Sequence, residues 1–377
     1  MDRLWTKSYI LLLVGMFFLF TGFYMFYPTL PLYIKELGGN ASHVGLAMGI
    51  FMFSGMVCRA LIGGLSDRYG RKIFIVSGLV LFIIITCLYQ WTAGIFYLLI
   101  LRVFHGMSWG TTATSIHIIF ADMIPANRRG EGLGWTGVAM TLAMAVGPMI
   151  GFAVMDYFSF SALLYLIIIL AAITLIISVF IKLPFEVKQK QGVIHFFEKS
   201  VFPVTLTVFF LYVSYGGITI FVPLFSETVD VNPATFFLIY AITLLGSRPI
   251  LGKFSDRYGG KVIIIPALAA SAIALIVLGY ATNNFMMSLA AILYGLGFGG
   301  ANPALQATII RMVPKERIGV ATASFGTSTD LGIGLGAIIL GWVARYTDYT
   351  ILFAICAFSV ILSFLTFTIL VRRRLKD

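Results

Sequence analysis

Three ionisable residues stand where such residues are rare. Arg102 and His105 fall in a long apolar run that begins near Ile95, and Asp330 falls in a second run that begins at Gly319. An ionised side chain deep in such a segment costs at least about 3 kcal/mol, so its default reading is functional. Low polarity favours the neutral form of a carboxyl group, so Asp330 is a candidate to take up and release a proton. Arg102 could supply a counter-charge or hold a substrate carboxylate. His105 follows Arg102 by three residues and shares its helix face, so it could extend a proton path or simply pack through a hydrogen bond. A static Asp330–Arg102 pair that only orders the protein is the competing reading.

The surrounding elements follow from composition. Of 377 residues, 60% are hydrophobic and 11% are charged, against roughly 25% charged in ordinary soluble domains. So little polarity cannot cover a soluble globule, which excludes a soluble enzyme, a secreted disulfide scaffold and a disordered chain. Polar punctuation divides the sequence into twelve apolar runs near 8–34, 43–65, 73–92, 95–120, 131–155, 160–182, 201–226, 233–254, 262–281, 284–309, 319–345 and 349–371. About 20 residues suffice to cross a bilayer, so the expected class is an all-α membrane protein with twelve transmembrane helices. The first run, Tyr9 to Tyr33, is too long for the core of a cleavable signal and reads as the first span. Cys58, Cys87 and Cys356 lie far apart in apolar runs and read as buried packing residues. No metal-ligand spacing is visible, and no cofactor is expected.

The two halves are related. Arg59-x3-Gly63-Gly-Leu-Ser66-Asp67-Arg68-Tyr69-Gly70-Arg71-Lys72 matches Arg248-x3-Gly252-Lys-Phe-Ser255-Asp256-Arg257-Tyr258-Gly259-Gly260-Lys261 at an offset of 189 residues. The same offset aligns Gly106 and Gly110 with Gly295 and Gly299, and Pro125, Arg128 and Gly130 with Pro314, Arg317 and Gly319. This duplication predicts two pseudo-symmetric six-helix bundles, 1–182 and 201–377, joined by a cytoplasmic linker over 183–200, with a substrate site near the midplane. Arg102 aligns with Ala291 and Asp330 with Thr141, so neither is a symmetric scaffold position. Arg59 and Arg248 are matched and read as structural.

Charge then sets orientation. With both termini on one face, that face holds 23 Lys and Arg and nine acids. The other holds Lys35 and Arg345 against Glu36, Asp156, Glu227, Asp230 and Asp348. The basic face, with both termini, is expected to be cytoplasmic. The net charge of +11 therefore reports topology rather than nucleic-acid binding.

The sequence between spans 2 and 3, Gly63 to Lys72, resembles the signature loop of the major facilitator superfamily. Arg102-Val-Phe-His-Gly106-Met-Ser-Trp-Gly110 is similar to a second motif, found in its drug:proton antiporters. Gly137 through Gly147-Pro148-Met-Ile-Gly151 resembles the motif of its exporters, with Ala143 and Phe152 where glycines are common. The resemblance covers essentially the whole chain and implies the major facilitator fold, alternating access and a functional monomer. It further implies that Gly63, Asp67, Arg68, Gly70, Arg71 and Lys72, with Asp256 and Arg257 in the repeat, latch one conformation at the cytoplasmic side. Comparison of the halves adds the expected pairs Arg71–Asp122 and Asp256–Arg311, because Gly260 stands in place of Arg71 and Arg311 in place of Asp122.

Cavity-lining candidates are Tyr24, Tyr27, Trp109, Tyr212, Tyr215, Asn302 and Gln306, with Asp330. Such an aromatic, weakly polar lining suits small amphipathic substrates, often cationic. The expected function is export of a small molecule in exchange for protons across a bacterial plasma membrane. Uptake of a sugar or organic acid by proton symport, or export of an anionic or metal-chelating metabolite, are the alternatives. A membrane-embedded enzyme would need a richer polar cluster, and a pump with its own motor would need a nucleotide loop. Gly295-Leu-Gly297-Phe-Gly299-Gly300 loosely resembles a dinucleotide loop, but it lies inside an apolar run with no strand before it and reads as small residues for close helix packing.

Overall fold

The computed structural model describes residues 4–125, 128–181, 198–314 and 317–372. Twelve α-helices occupy these residues: α1 (Lys7–Glu36), α2 (Ala41–Tyr69), α3 (Arg71–Leu88), α4 (Ile95–Met123), α5 (Arg129–Tyr157), α6 (Phe160–Phe180), α7 (Phe202–Thr228), α8 (Pro233–Tyr258), α9 (Gly260–Gly279), α10 (Asn284–Arg311), α11 (Ile318–Tyr346) and α12 (Tyr349–Thr366). Ten of the described helices are long and apolar enough to cross a membrane. Of the other two, α4 is as long but more polar, carrying Arg102, His105 and several Ser, Thr and Gly, and in α8 an apolar stretch, Pro233–Arg248, is described.

Helix ends follow local chemistry. Ser159 caps α6 by accepting from the Ala162 amide, and Asp348, its counterpart in the repeat, caps α12 by accepting from the Ile351 amide. The expected loop after span 2 is shorter than its charges suggest. Helix α2 continues to Tyr69, and the turn is made at Gly70 with φ 98°. Gly259 repeats it between α8 and α9 with φ 86°. Hydropathy falls where the charges begin, but backbone hydrogen bonding ends only where glycine permits a left-handed turn.

The chain forms two compact units, residues 1–33 with 50–194, and residues 34–49 with 195–377. The segment 34–49 belongs with the second unit because α2 begins against α11: a Cβ on Gly45 would lie 2.2 Å from the Ala337 carbonyl oxygen. Most of the expected linker, up to residue 197, lies outside the described residues. The cysteines are free, and whereas Cys58 and Cys356 are buried, Cys87 is half-buried on α3.

The duplication is visible in packing. In the first unit Gly106 abuts Phe51 and Ser54, and Gly110 abuts Gly55, so α4 and α2 touch through their backbones. In the second, Gly295 abuts Tyr240 and Thr243, the positions 189 residues on. Gly147 and Gly151 seat α5 on Tyr24 and Met25 of α1, and Gly336 seats α11 on Val213 of α7. Hydroxyls inside the helices, such as Thr29, Thr86 and Thr112, donate to carbonyls one turn back and so need no solvent. Gly110→Ala should be overpacked, because its Cβ would lie 2.2 Å from the Gly55 carbonyl oxygen. We expect a cost of about 1–3 kcal/mol and a lower unfolding midpoint in detergent. Gly137→Ala, with open space around it, should leave the midpoint unchanged or slightly raised. Equal effects at the two sites would contradict this packing.

Candidate transport site

The candidate residues gather in two clusters, one within each unit. In the first, Arg102 on α4 is 1% exposed. Its guanidinium carbon lies 4.0 Å from the Phe51 ring centroid and 6.0 Å from that of Phe26. The Tyr89 hydroxyl is in hydrogen-bonding reach of the guanidinium, and Tyr27 is close by. His105 is equally buried among the rings of Phe82, Phe26, Phe51 and Tyr89, at centroid distances of 4.8, 5.3, 5.3 and 5.6 Å. Its Nδ1 lies 3.4 Å from the Tyr89 hydroxyl, so Tyr89 adjoins both Arg102 and His105. Tyr89 and Phe51 were not among the sequence candidates, since an aromatic residue in an apolar run looks like packing.

Trp109 lies parallel to Phe23 at 4.0 Å and 13° and is nearly buried. Tyr24 is half-buried beside Gly147, and Tyr27 is buried.

In the second unit, the Tyr212 hydroxyl donates to the Asn302 carboxamide oxygen at 2.9 Å. Tyr215 stacks on Phe298 at 4.7 Å, and Tyr294 stacks on the same ring. Gln306, one turn beyond Asn302, is exposed. Asp330 on α11 is 9% exposed. Two residues on, Gly332 brings α11 against Phe209 and Tyr212 of α7. Among the described residues, no group of three His, Cys, Asp or Glu converges to hold a metal.

The loop motif ties helix ends together. Arg71 Nε donates to Asp122 Oδ2 at 2.9 Å, and its Nη1 donates to the Ser66 hydroxyl at 3.0 Å, linking α3, α4 and α2. Lys72 Nζ donates to the Ile181 carbonyl at 3.4 Å and so satisfies the end of α6. Arg68 is exposed, with its guanidinium 5.3 Å from the Tyr69 ring centroid. Gly63, Asp67, Asp256 and Arg257 lie outside the residues whose side chains are described, so Asp256–Arg311 is left as an expectation; Arg311 itself is exposed.

A further contact was not foreseen. Arg128 pairs with Glu131 in the next turn, whereas its repeat counterpart Arg317 reaches Glu198, just before α7, with Nη1 3.0 Å from Oε2. The Ser324 hydroxyl accepts from the Glu198 amide at 2.9 Å. The offset comparison holds the signal only in retrospect: Val320 stands where Glu131 would repeat.

These helices and clusters describe a polytopic membrane protein. The chain belongs to the major facilitator superfamily, whose family model matches residues 12–270 and 204–377. Relatives include the multi-drug resistance efflux pump PmrA homolog of Lactococcus lactis, 25% identical, with 98% of this chain and 97% of that protein covered. The multidrug resistance protein MdtG of Enterobacter lignolyticus is 24% identical, with 95% and 90% covered. The fold is shared with a POT family transporter solved with a thioalcohol-conjugated peptide, at TM-score 0.82 and 14% identity, covering 98% of this chain and 97% of that one. It is also shared with the nucleoside transporter NupG, at TM-score 0.73 and 16% identity, covering 96% and 99%. The protein is thus a multi-pass membrane transporter and not an enzyme.

Two pairs invite measurement. A double-mutant cycle on Arg71→Ala and Asp122→Ala should give a coupling of about 0.2–1 kcal/mol in thermal unfolding, since the pair is partly exposed; strict additivity would count against it. At Glu198, hydrogen bonds from the Ser200 hydroxyl and amide, then Arg317, hold the carboxyl below its ordinary range. Its stabilisation is complete above that range and is lost as pH falls through the lowered value. Glu198→Gln should therefore melt below the wild type at neutral pH, and the two midpoints should converge as the pH falls through the lowered value. A gap that does not vary with pH would show that the charge is irrelevant.

Proposed function

We propose that the protein exports small amphipathic molecules, often cationic, in exchange for protons, by alternating access. In this reading all twelve helices cross a bacterial plasma membrane, both termini are cytoplasmic, residues 1–182 and 201–377 form the two bundles, and the monomer is the working unit. The observation that carries the reading is Asp330: apart from Glu198, at the start of the second unit, it is the buried carboxylate among the described residues, and it stands mid-way along α11. Burial makes its charged form expensive, so a proton and a cationic substrate are alternative ways to neutralise it. Tyr212, Tyr215 and Asn302 offer the aromatic faces and single amide that an amphipathic cation would use, with Tyr24, Tyr27 and Gln306 as further lining.

Arg102 serves as fixed positive charge in the first unit, and His105 joins it through Tyr89. The Arg71–Asp122 and Lys72–Ile181 contacts act as a latch between helix ends, and Gly147-Pro148 with Gly151 keeps α5 close to α1. The efflux function named for the PmrA and MdtG relatives supports export over uptake.

The test uses everted vesicles carrying an imposed proton gradient. Addition of a lipophilic cation such as ethidium should dissipate the gradient in the wild type. Asp330→Asn should abolish that response while leaving membrane abundance unchanged, and Asp330→Glu should restore part of it. A response in Asp330→Asn equal to that of the wild type would overturn the assignment.

A further inference from the structure

A cavity of about 270 Å³ opens within the second unit, where α1 and α11 end and α2 and α12 begin. Lys35, Asn40, Leu224, Thr228, Arg345 and Tyr349 are among the residues lining it. Lys35 and Arg345 are the two basic residues assigned by sequence to this face, where five acids outnumber them, and both border this one cavity. Lys35 is paired with Glu227. Among the described residues Arg345 has no carboxylate partner; its Nη1 lies 3.5 Å from the Ser42 hydroxyl and its guanidinium carbon 5.3 Å from the Tyr346 ring centroid. The Asn40 side chain accepts from the Ser42 and His43 amides, so the positive end of the α2 dipole also opens here. The cavity thus carries one uncompensated positive charge with hydroxyl groups around it.

Its depth in the membrane is marked by aromatic residues. Trp342 and Tyr346, on the last turns of α11, are 63% and 66% exposed, and Tyr280 and Phe285, at the same end of α9 and α10, are 67% and 76% exposed. Exposed aromatic residues collect at the headgroup level of a bilayer. Arg345, adjacent to Tyr346, therefore lies in the layer where the prevalent anion is a phosphodiester. We propose that this cavity binds the phosphate of a glycerophospholipid from the leaflet at this face. Arg345 and Lys35 take the phosphate oxygens, the hydroxyl of Tyr349 supplies a further donor, and the acyl chains lie on the apolar helix surface beside Trp342. The bound lipid would link the α1–α2 corner to α7 and α11, across the same crossing that Gly45 and Gly341 make close.

Native mass spectrometry of the intact, delipidated protein in detergent tests this, with phosphatidylglycerol as probe and diacylglycerol, which lacks the phosphate, as control. Phosphatidylglycerol should be retained and diacylglycerol not. Arg345→Gln should weaken retention about tenfold, the scale of one charge-assisted hydrogen bond, with a similar loss for Lys35→Gln. Lys7→Gln, on α1 at the opposite end, should change nothing. Undiminished retention in Arg345→Gln, or equal retention of diacylglycerol, would overturn the site. Soluble glycerol phosphate should fail to displace the lipid at comparable concentration; if it displaced it, the site would be one for a free phosphate solute and the lipid assignment would fall. Should either variant fold poorly, a photoactivatable phosphatidylglycerol on the wild type decides instead. Cross-links within residues 35–44 and 342–349 are expected, and their absence there would overturn the proposal.

Discussion

Hydrocarbon supplies no hydrogen-bond partners, so every polar atom these helices carry into the membrane must be answered from within the protein. Much of the structure follows from that constraint. Threonine and serine hydroxyls fold back onto carbonyls one turn earlier, or cross to a neighbour, as Thr174 does to Gly15 and Ser363 to Thr207. Helices approach to backbone contact at glycines, where dispersion gains are largest and no polar group is stranded. Against that background Arg102, His105 and Asp330 are conspicuous, because ordinary packing would have excluded them.

The two units show how duplication and divergence divide this task. Phe23 and Trp109 stack in the first unit, and Tyr212 and Phe298, at the same offset, meet edge-to-face in the second. His105 corresponds to Tyr294, which bonds Ser214 instead of joining a charge. The shared scaffold thus consists of close α2–α4 and α8–α10 packing, aromatic contacts between α1 and α4 or α7 and α10, and a glycine turn after α2 or α8. The differences fall on charged residues: Arg102 against Ala291, Asp330 against Thr141, Arg71 against Gly260. Even Arg128 and Arg317, equivalent in sequence, find acids on different segments.

Much of this was legible in the sequence because hydropathy and repetition are properties of residue type alone. The apolar runs located the helices, and the offset of 189 residues located the glycine contacts. Legibility stopped where partner choice depends on packing between distant segments. Nothing in the run around Tyr89 distinguishes it from a packing residue, yet its hydroxyl joins Arg102 to His105. The seating of residues 34–49 beside α11, and the reach of Arg317 to Glu198, likewise require the folded chain. The α2 boundary was misplaced because hydropathy falls at the charges, whereas the helix continues to the glycine.

The two interior charges differ in how they are held, and that difference bears on the proposed exchange. Arg102 is wrapped by the faces of Phe51 and Phe26, and a desolvated cation–π contact contributes about 2 kcal/mol. Insertion of an arginine at such depth costs about 3 kcal/mol, so these rings and the Tyr89 hydroxyl offset much of the penalty. Aromatic faces give no comparable help to an anion, because the ring quadrupole repels it. Asp330 stands among glycines and threonines of α11, and the proposed exchange would have proton and substrate answer its charge in turn. In the proposed exchange, a fixed cation in one unit and an exchangeable anion in the other would give the asymmetry that coupling needs. The charge that can be neutralised by either proton or substrate then resides on one helix, while the rest of the site stays electrostatically constant.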